Sequence, residues 1–140
     1  MEKVRLPLFF LGLVLAASIT LSCGSGTNSN RPLQSVTLSP ATADAQDYDN
    51  GPVQFVATGH YSVSPRTATP LSAFWGTCYQ NATTTAITVT SEGLAKCASG
   101  AVGTYTVWAE NPPLPNAMCD ATTACGGGCF VVGSAQLTCP

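Results

Sequence analysis

The chain has 140 residues, of which 45% are hydrophobic and only 9% are charged, and its formal net charge is −2. An ordinary soluble domain is roughly 25% charged, so this composition is unusual. The length predicts one domain of ordinary size rather than a two-domain enzyme. The five Lys and Arg residues exclude a nucleic-acid partner that is bound by neutralising phosphates, and a single histidine leaves little acid–base chemistry.

The N-terminal segment is predicted to be an export signal. Lys3 and Arg5 precede the uncharged run Leu6–Leu21, in which Leu, Val, Phe, Ile and Ala dominate. A basic start, an apolar run and a small-residue exit are typical of a secretory signal peptide. The alternative is a membrane-spanning helix, which needs about 20 apolar residues, and this run is shorter and contains a proline and a glycine. We therefore predict that residues 1–22 are a signal peptide.

The exit of the apolar run, Ile19-Thr20-Leu21-Ser22-Cys23, resembles the lipobox of bacterial lipoproteins. The resemblance implies that the peptide is cut before Cys23, that a diacylglyceryl group alkylates its thiol, and that the new amine is acylated. Thr20 stands where the family usually has leucine. The alternative is an ordinary signal peptidase site, with Cys23 in a disulfide.

Residues 23–32 are predicted to be the lipidated cysteine and a flexible tether. Gly24–Asn30 has no apolar side chain, which is typical of a linker that holds a domain off a membrane. Several acyl chains on one residue suffice for stable anchoring. Gly24 rather than Asp follows the cysteine, and among lipoproteins of enteric bacteria this favours the outer membrane. We expect a bacterial cell-envelope protein that is bound to the membrane through Cys23 and faces the periplasm or the cell surface.

Six further cysteines predict a disulfide framework, because an even number in an exported chain is typical of one. They are Cys78, Cys97, Cys119, Cys125, Cys129 and Cys139. A zinc site is the alternative, since Cys125 and Cys129 could form half of one. No second pair lies at ligand spacing, so we expect no metal site.

The mature chain is predicted to be all-β. No segment has the 3.6-residue apolar period of a helix, and runs of β-branched and aromatic residues recur between Pro, Gly, Asn and Asp clusters. Seven strands are predicted, over Leu33–Leu38, Val53–Gly59, Leu71–Tyr79, Ala86–Thr90, Leu94–Ala98, Thr104–Glu110 and Phe130–Leu137. Seven short strands in about 110 residues indicate a two-sheet antiparallel sandwich, with Trp75 in its core and Tyr105 at the place of a tyrosine corner.

The order and spacing of these segments resemble the group-2 bacterial Ig-like domains. The resemblance covers residues 33–110 and rests on Ser35–Ala41, Val53–Gly59, Ala73–Trp75, Ile87–Leu94 and Gly103–Ala109. It implies an Ig-like sandwich over residues 33–140 with no catalytic residues to transfer. Members of that family usually serve as repeated spacers in adhesins and surface proteins. The cysteines and the long insertion Asn111–Cys129 depart from the family pattern.

The strand order predicts how some cysteines pair. In such a sandwich the third and fifth strands end at one pole, so Cys78 should bond to Cys97. Cys139 ends the last strand at that pole and is expected to pair with a loop cysteine. That pairing requires the segment Cys119–Cys125 to fold down along the sandwich, or the last strand to be shorter. A Cys78–Cys139 or Cys97–Cys139 bond would mean that this strand order, or the Ig-like topology itself, is wrong.

Few side chains carry candidate chemistry. Asp44, Asp47 and Asp49 lie in one loop, as calcium ligands can, but the EF-hand pattern fails and we favour a solvated turn. His60 has no nucleophile or carboxylate arranged around it and is predicted to be a surface or strand-end histidine. The sequence thus predicts no catalytic residue, no cofactor and no enzyme activity.

Trp108 is the candidate for contact with a ligand. It alternates with inward-facing residues of the sixth strand, so it should lie on the outer face of its sheet. An exposed ring there, beside Tyr61 or Tyr79, could stack on a sugar. The alternative, which we favour, is that the insertion Asn111–Cys129 folds back over the ring.

Two functions fit these predictions. The first is a non-catalytic, lipid-anchored Ig-like module that offers the stapled insertion to a protein or glycan partner, since loops at a sandwich end often bind. In the second, the insertion closes a short core, and the protein is an architectural subunit of an envelope complex with no soluble ligand.

Overall fold

A computed structural model describes residues 31–112, 125–126, 128 and 130–140, and within these ranges the chain is mostly strand. The strands are β1 Leu33–Ser39, β2 Thr42–Asp44, β3 Val53–Gln54, β4 Val56–Tyr61, β5 Thr67–Ala68, β6 Phe74–Tyr79, β7 Ala82–Thr83, β8 Ile87–Val89, β9 Leu94–Cys97, β10 Gly103–Asn111 and β11 Val131–Cys139. A 3-10 helix, Ala45–Tyr48, follows β2. In this part of the chain, no helix has the length and apolar content needed to cross a membrane.

Several predicted features lie outside the described residues. They are the signal peptide over residues 1–22, the lipidation site Cys23, the tether up to residue 30, most of the insertion, and two of the predicted disulfide cysteines, Cys119 and Cys129.

Two sheets pack face to face around the core. In the first, β10 lies between β11 and β6 in antiparallel pairing, β7 flanks β6, and β2 runs parallel to β11 at the other edge. In the second, β4 lies between β1 and β5, and β9 lies between β3 and β8; only Phe55 separates β3 from β4 along the chain. This strand order is that of an Ig-like sandwich. The predicted fold class is therefore confirmed, with more strands than the seven predicted.

Alternation along the strands builds the core between the sheets. The largest buried apolar side chains include Val53 and Phe55 from one sheet and Val107 and Leu137 from the other, each with an exposed fraction of 0%. Tyr105 is also buried, and its hydroxyl donates a hydrogen bond to the carbonyl of Val102 at 3.0 Å. This hydrogen bond to the backbone three residues upstream is the tyrosine corner predicted from the sequence.

One disulfide, Cys97–Cys139, joins the ends of β9 and β11 across the two sheets, with a Cα–Cα distance of 5.9 Å. The predicted Cys78–Cys97 bond is therefore wrong. Thr77 faces the core, because its hydroxyl donates to the carbonyl of Ile87 in the opposite sheet, so the next residue, Cys78, must face outward. The strand order is as predicted, so the expectation that a Cys97–Cys139 bond would contradict it was wrong as well.

The second disulfide, Cys78–Cys125, holds the insertion against the outer face of the first sheet, with a Cα–Cα distance of 5.4 Å. The insertion leaves β10 at Asn111, beside the start of β6, whereas Cys78 is near the end of β6. Cys125 therefore lies along the sandwich from the point where the insertion begins, as one of the two predicted options requires of that residue. Its partner there is Cys78 and not Cys139, which is a correction to that prediction.

Candidate functional site

Trp108 is buried, with an exposed fraction of 7%, and cannot offer its ring to a ligand. The backbone of Gly126, next to Cys125, lies over it: a Cβ atom added to Gly126 would be 3.2 Å from the indole ring. On the neighbouring strand, Gly76 leaves the space in which the ring lies. The alternative favoured from the sequence, coverage by the insertion, is what these contacts show.

The two tyrosines predicted beside Trp108 do not join it. Tyr79 packs against Tyr105 with a ring-centroid distance of 5.2 Å, on the inner side of the sheet whose outer face holds Trp108. Tyr61 belongs to the other sheet, and the guanidinium carbon of Arg31 lies 3.6 Å from the centroid of its ring. The predicted stacking surface of Trp108, Tyr61 and Tyr79 is therefore not formed.

Two of the three aspartates before β3 shape the 3-10 helix, Asp44 through its side chain and Asp49 through its backbone. Asp44 caps the 3-10 helix, because its side chain accepts a hydrogen bond from the backbone N–H of Gln46 at 2.9 Å. Asp49 ends that helix with a left-handed backbone, at φ 55°. Among the described residues, no three His, Cys, Asp or Glu side chains are grouped so that they could hold a metal ion.

His60 lies within β4 and is partly exposed. Its Nε2 atom is 3.0 Å from the hydroxyl oxygen of Thr37 on the neighbouring strand β1. The hydrogen bond links the side chains of two neighbouring strands.

A gap between β9 and β5, two successive partner strands of the second sheet, forms the candidate site. Val53 and Gln54 pair with β9, whereas Gly59 and His60 pair with β5. Two single backbone hydrogen bonds cross this gap, from the N–H of Phe55 to the carbonyl of Gly93 at 2.9 Å and from the N–H of Leu71 to the carbonyl of Ala57 at 2.8 Å. A groove of about 420 Å³ lies beside them, within the range of about 300–1,000 Å³ that is typical of ligand pockets. Its walls are Gln54, Phe55, Val56, Ala57, Pro70, Leu71, Ser72, Trp75, Ser91 and Glu92.

The floor of the groove is the core tryptophan Trp75, which is half-buried and reaches solvent through the gap. Its ring rests against Gly93: a Cβ atom added to Gly93 would come within 2.7 Å of the indole. Gly93 also has a φ of +82°, which side-chain-bearing residues rarely adopt, so two constraints favour glycine there. The turn between β8 and β9 thereby holds the ring in place.

The rim of the groove is polar and fixed in position. The side-chain amide nitrogen of Gln54 donates to the carbonyl of Glu92 at 2.7 Å and to the carbonyl of Phe55 at 2.8 Å. These two bonds tie β3 to the turn between β8 and β9 and orient the amide group. The exposed carboxylate of Glu92 and the residues Ser72 and Ser91 complete the polar edge.

The lining carries one carboxylate and no cationic side chain among the residues that the structure describes. A second cavity, of about 500 Å³, lies at the pole beside Cys97 and Pro140, and an exposed Lys96 lines it. No aromatic side chain lines that cavity within the described ranges, so it lacks the apolar ring face that the Trp75 groove has.

Comparisons with protein-family models and with curated proteins find no match for this chain. The arrangement of its residues therefore carries the functional argument.

From the sequence, Trp75 was predicted as a core residue, and no groove beside it was predicted. The signals for it are the proline at position 70 and the Glu92-Gly93 turn, because each ends a strand early. The strands that end at these signals, β5 and β9, pair with different parts of the segment Val53–Tyr61, and the groove lies between them.

Proposed function

We propose that this protein is a non-catalytic Ig-like module of the bacterial cell envelope, anchored to the membrane by lipid on Cys23, that binds a glycan or a protein. The observation that carries the proposal is the Ig-like sandwich with two disulfides, Cys78–Cys125 and Cys97–Cys139, which follows an export signal and a lipobox-like sequence. Disulfides persist in exported proteins and are rare in the cytosol, so the two bonds support the proposal that the chain is exported.

The binding surface of this module is the groove over Trp75 rather than the insertion. Within the insertion, Cys125 is bonded to the sheet and Gly126 lies against the ring of Trp108, which supports a lid-like role for this part of the insertion. The groove instead combines an accessible aromatic ring with oriented polar groups. Pockets of this kind are the default binding sites of small ligands.

The anchor is tested by intact mass spectrometry of the protein extracted from membranes. We expect a mature chain that begins at Cys23 and carries acyl chains, because the lipobox-like sequence directs cleavage and lipidation there. A Cys23→Ala variant should lose the lipid and leave the membrane fraction. A mature form that begins elsewhere, or an unmodified Cys23, would contradict the proposal.

An architectural subunit of an envelope complex is the second candidate, and one observation favours it. Phe74 has an exposed fraction of 60% and contacts Phe130 edge-to-face, with ring centroids 5.9 Å apart. Exposed aromatic pairs are enriched at protein interfaces. A pull-down of the lipidated protein from its native envelope, compared with the Phe74→Ser variant, tests this role: a partner lost with the variant would support it.

A further inference from the structure

The groove over Trp75 presents a set of groups that matches one ligand class. An indole ring gives an apolar face that stacks on the C–H face of a sugar ring. The carboxylate of Glu92 and the hydroxyl groups of Ser72 and Ser91, all residues of the groove lining, can accept and donate hydrogen bonds to sugar hydroxyls. A flat apolar surface with polar groups at its edge is complementary to a pyranose, because the faces of that sugar ring carry C–H groups and its edge carries hydroxyl groups.

The charge of the groove restricts the class of ligand further, to neutral molecules. No Lys, Arg or His lies among its lining residues, so a phosphate or carboxylate ligand would meet Glu92 without a compensating cation. A neutral polyhydroxylated ligand has no negative charge that Glu92 would repel. The volume of about 420 Å³ and the open mouth allow a ligand of mono- or disaccharide size.

The groove is also largely preformed. Gln54 ties its rim together through hydrogen bonds to the carbonyls of Glu92 and Phe55, and Gly93 supports the indole. A site that is held in place before binding avoids part of the entropy cost of ordering its side chains.

We propose that the gap between β5 and β9 is a saccharide-binding site, in which Trp75 stacks on a neutral sugar ring and Glu92 accepts hydrogen bonds from its hydroxyls. The proposal rests on the proposed function, because it names the ligand class and the site of that same module. It takes the place of the surface around Trp108, which was a candidate from the sequence.

The test is a fluorescence titration of the full-length mature protein, kept in a detergent without a sugar headgroup. In a Trp108→Phe variant, Trp75 is the only tryptophan, so any change in emission reports on the groove. The probes are maltotriose, cellotriose and N-acetylchitotriose. We expect at least one of them to change the emission saturably, with a dissociation constant on the order of 1 mM.

Matched variants locate the binding site. Glu92→Ala should weaken binding about tenfold, which is the effect of one lost hydrogen bond to a charged group. Two control variants change residues that do not line the groove. Asp47→Ala removes an exposed carboxylate, and Phe74→Ser removes an exposed aromatic ring. Both control variants should bind the sugar as the parent does, and circular dichroism should show that each variant is folded.

Three results would overturn the proposal. One is the absence of any saturable change up to about 50 mM of each sugar, roughly fifty times the expected dissociation constant. Another is binding that Phe74→Ser abolishes and Glu92→Ala leaves intact. The third is a response to choline and to none of the sugars, which would indicate a cation site. A protein that binds sugar but lacks lipid on Cys23 would refute the anchor alone, so the two proposals fail separately.

Discussion

Gly76 on β6 lies directly opposite Trp108 on β10, and its missing side chain makes room for the indole ring. A Cβ atom added there would overlap the ring. We expect Gly76→Ala to lower the free energy of unfolding by about 1–3 kcal/mol, because overpacking forces side chains or backbone to move. Urea denaturation followed by circular dichroism measures the loss.

The same substitution in a Trp108→Leu background serves as the control for that steric argument. The leucine side chain would lack the ring atoms that the added methyl group meets, so most of the cost of Gly76→Ala should disappear. The difference between the two backgrounds is the interaction energy of a double-mutant cycle. An equal cost in both backgrounds would mean that the ring is not the cause.

Tyr105 allows a second prediction at the scale of single residues. Tyr105→Phe removes the hydrogen bond from its hydroxyl to the carbonyl of Val102 and should lower the free energy of unfolding by about 1 kcal/mol. Tyr79→Phe is the matched control, because the exposed Tyr79 hydroxyl only accepts a hydrogen bond from the adjacent Gln80 side chain. A loss of the same size in both variants would argue against the tyrosine corner as the source.

At the scale of secondary-structure elements, the two disulfides hold different parts together. Cys97–Cys139 joins β9 to β11 across the sheets, whereas Cys78–Cys125 fastens the insertion to β6. Because the bridged residues are 42 and 47 positions apart, the chain-entropy argument gives both bonds about 4 kcal/mol. The double variants Cys97→Ser/Cys139→Ser and Cys78→Ser/Cys125→Ser should both lower the melting temperature.

A second measurement distinguishes the two double variants. In a Trp75→Phe background, Trp108 is the sole tryptophan, and acrylamide quenching reports its exposure. We expect quenching to rise when the Cys78–Cys125 bond is removed, because Gly126 then no longer needs to lie over the ring. Removal of Cys97–Cys139 should leave quenching unchanged in the folded state. Equal quenching in the two variants would contradict the covering role of the insertion.

The predicted strands coincide with the long elements, and the differences have physical causes. β2, β5 and β7 have two or three residues each, which is too short for any alternation to be visible in the sequence. The pairing of Cys78 was mispredicted although the signal was present. Trp75 was placed in the core, and a residue three positions away on the same strand must then face outward.

The groove was not predicted, because the sequence pattern does not contain the information that a prediction of it would need. It lies where the pairing changes along the chain, from β3 with β9 to β4 with β5. Sequence periodicity reports which side of a strand is buried, and it does not report where the neighbouring strand stops. The covering of Trp108 was easier to foresee, since a long insertion follows its strand and an apolar ring gains from burial.

At the scale of the whole molecule, the start of β1 and the end of β11 lie at opposite poles of the sandwich. β1 begins at Leu33, which pairs with Tyr61 at the end of β4, and Arg31 contacts that same tyrosine. Pro140 lies in the cavity beside Cys97, where β9 and β11 end. β10, with nine residues, gives the sandwich a height of about 30 Å at roughly 3.3 Å per residue.

This polarity predicts how the module stands on a membrane if Cys23 is lipidated. A flexible tether of seven residues, Gly24–Asn30, spans about 15 Å on average, which is less than the height of the sandwich. The pole that holds Val63 should therefore be nearer the lipid than the pole that holds Ser99. Donor fluorophores on genetically encoded amino acids at these two exposed positions can be compared in liposomes with acceptor-labelled headgroups.

Energy transfer should be more efficient from position 63 than from position 99, because transfer falls steeply with distance from the headgroups. The same two labels on the Cys23→Ala protein should show no transfer, since without lipid the domain has no attachment to the vesicle. Equal transfer from both positions would mean that the sandwich lies flat on the bilayer, and stronger transfer from position 99 would mean that it is inverted. An upright module exposes the pole of Cys97–Cys139 to the aqueous side and leaves the Trp75 groove on its flank, where a glycan strand that runs alongside the membrane can reach it.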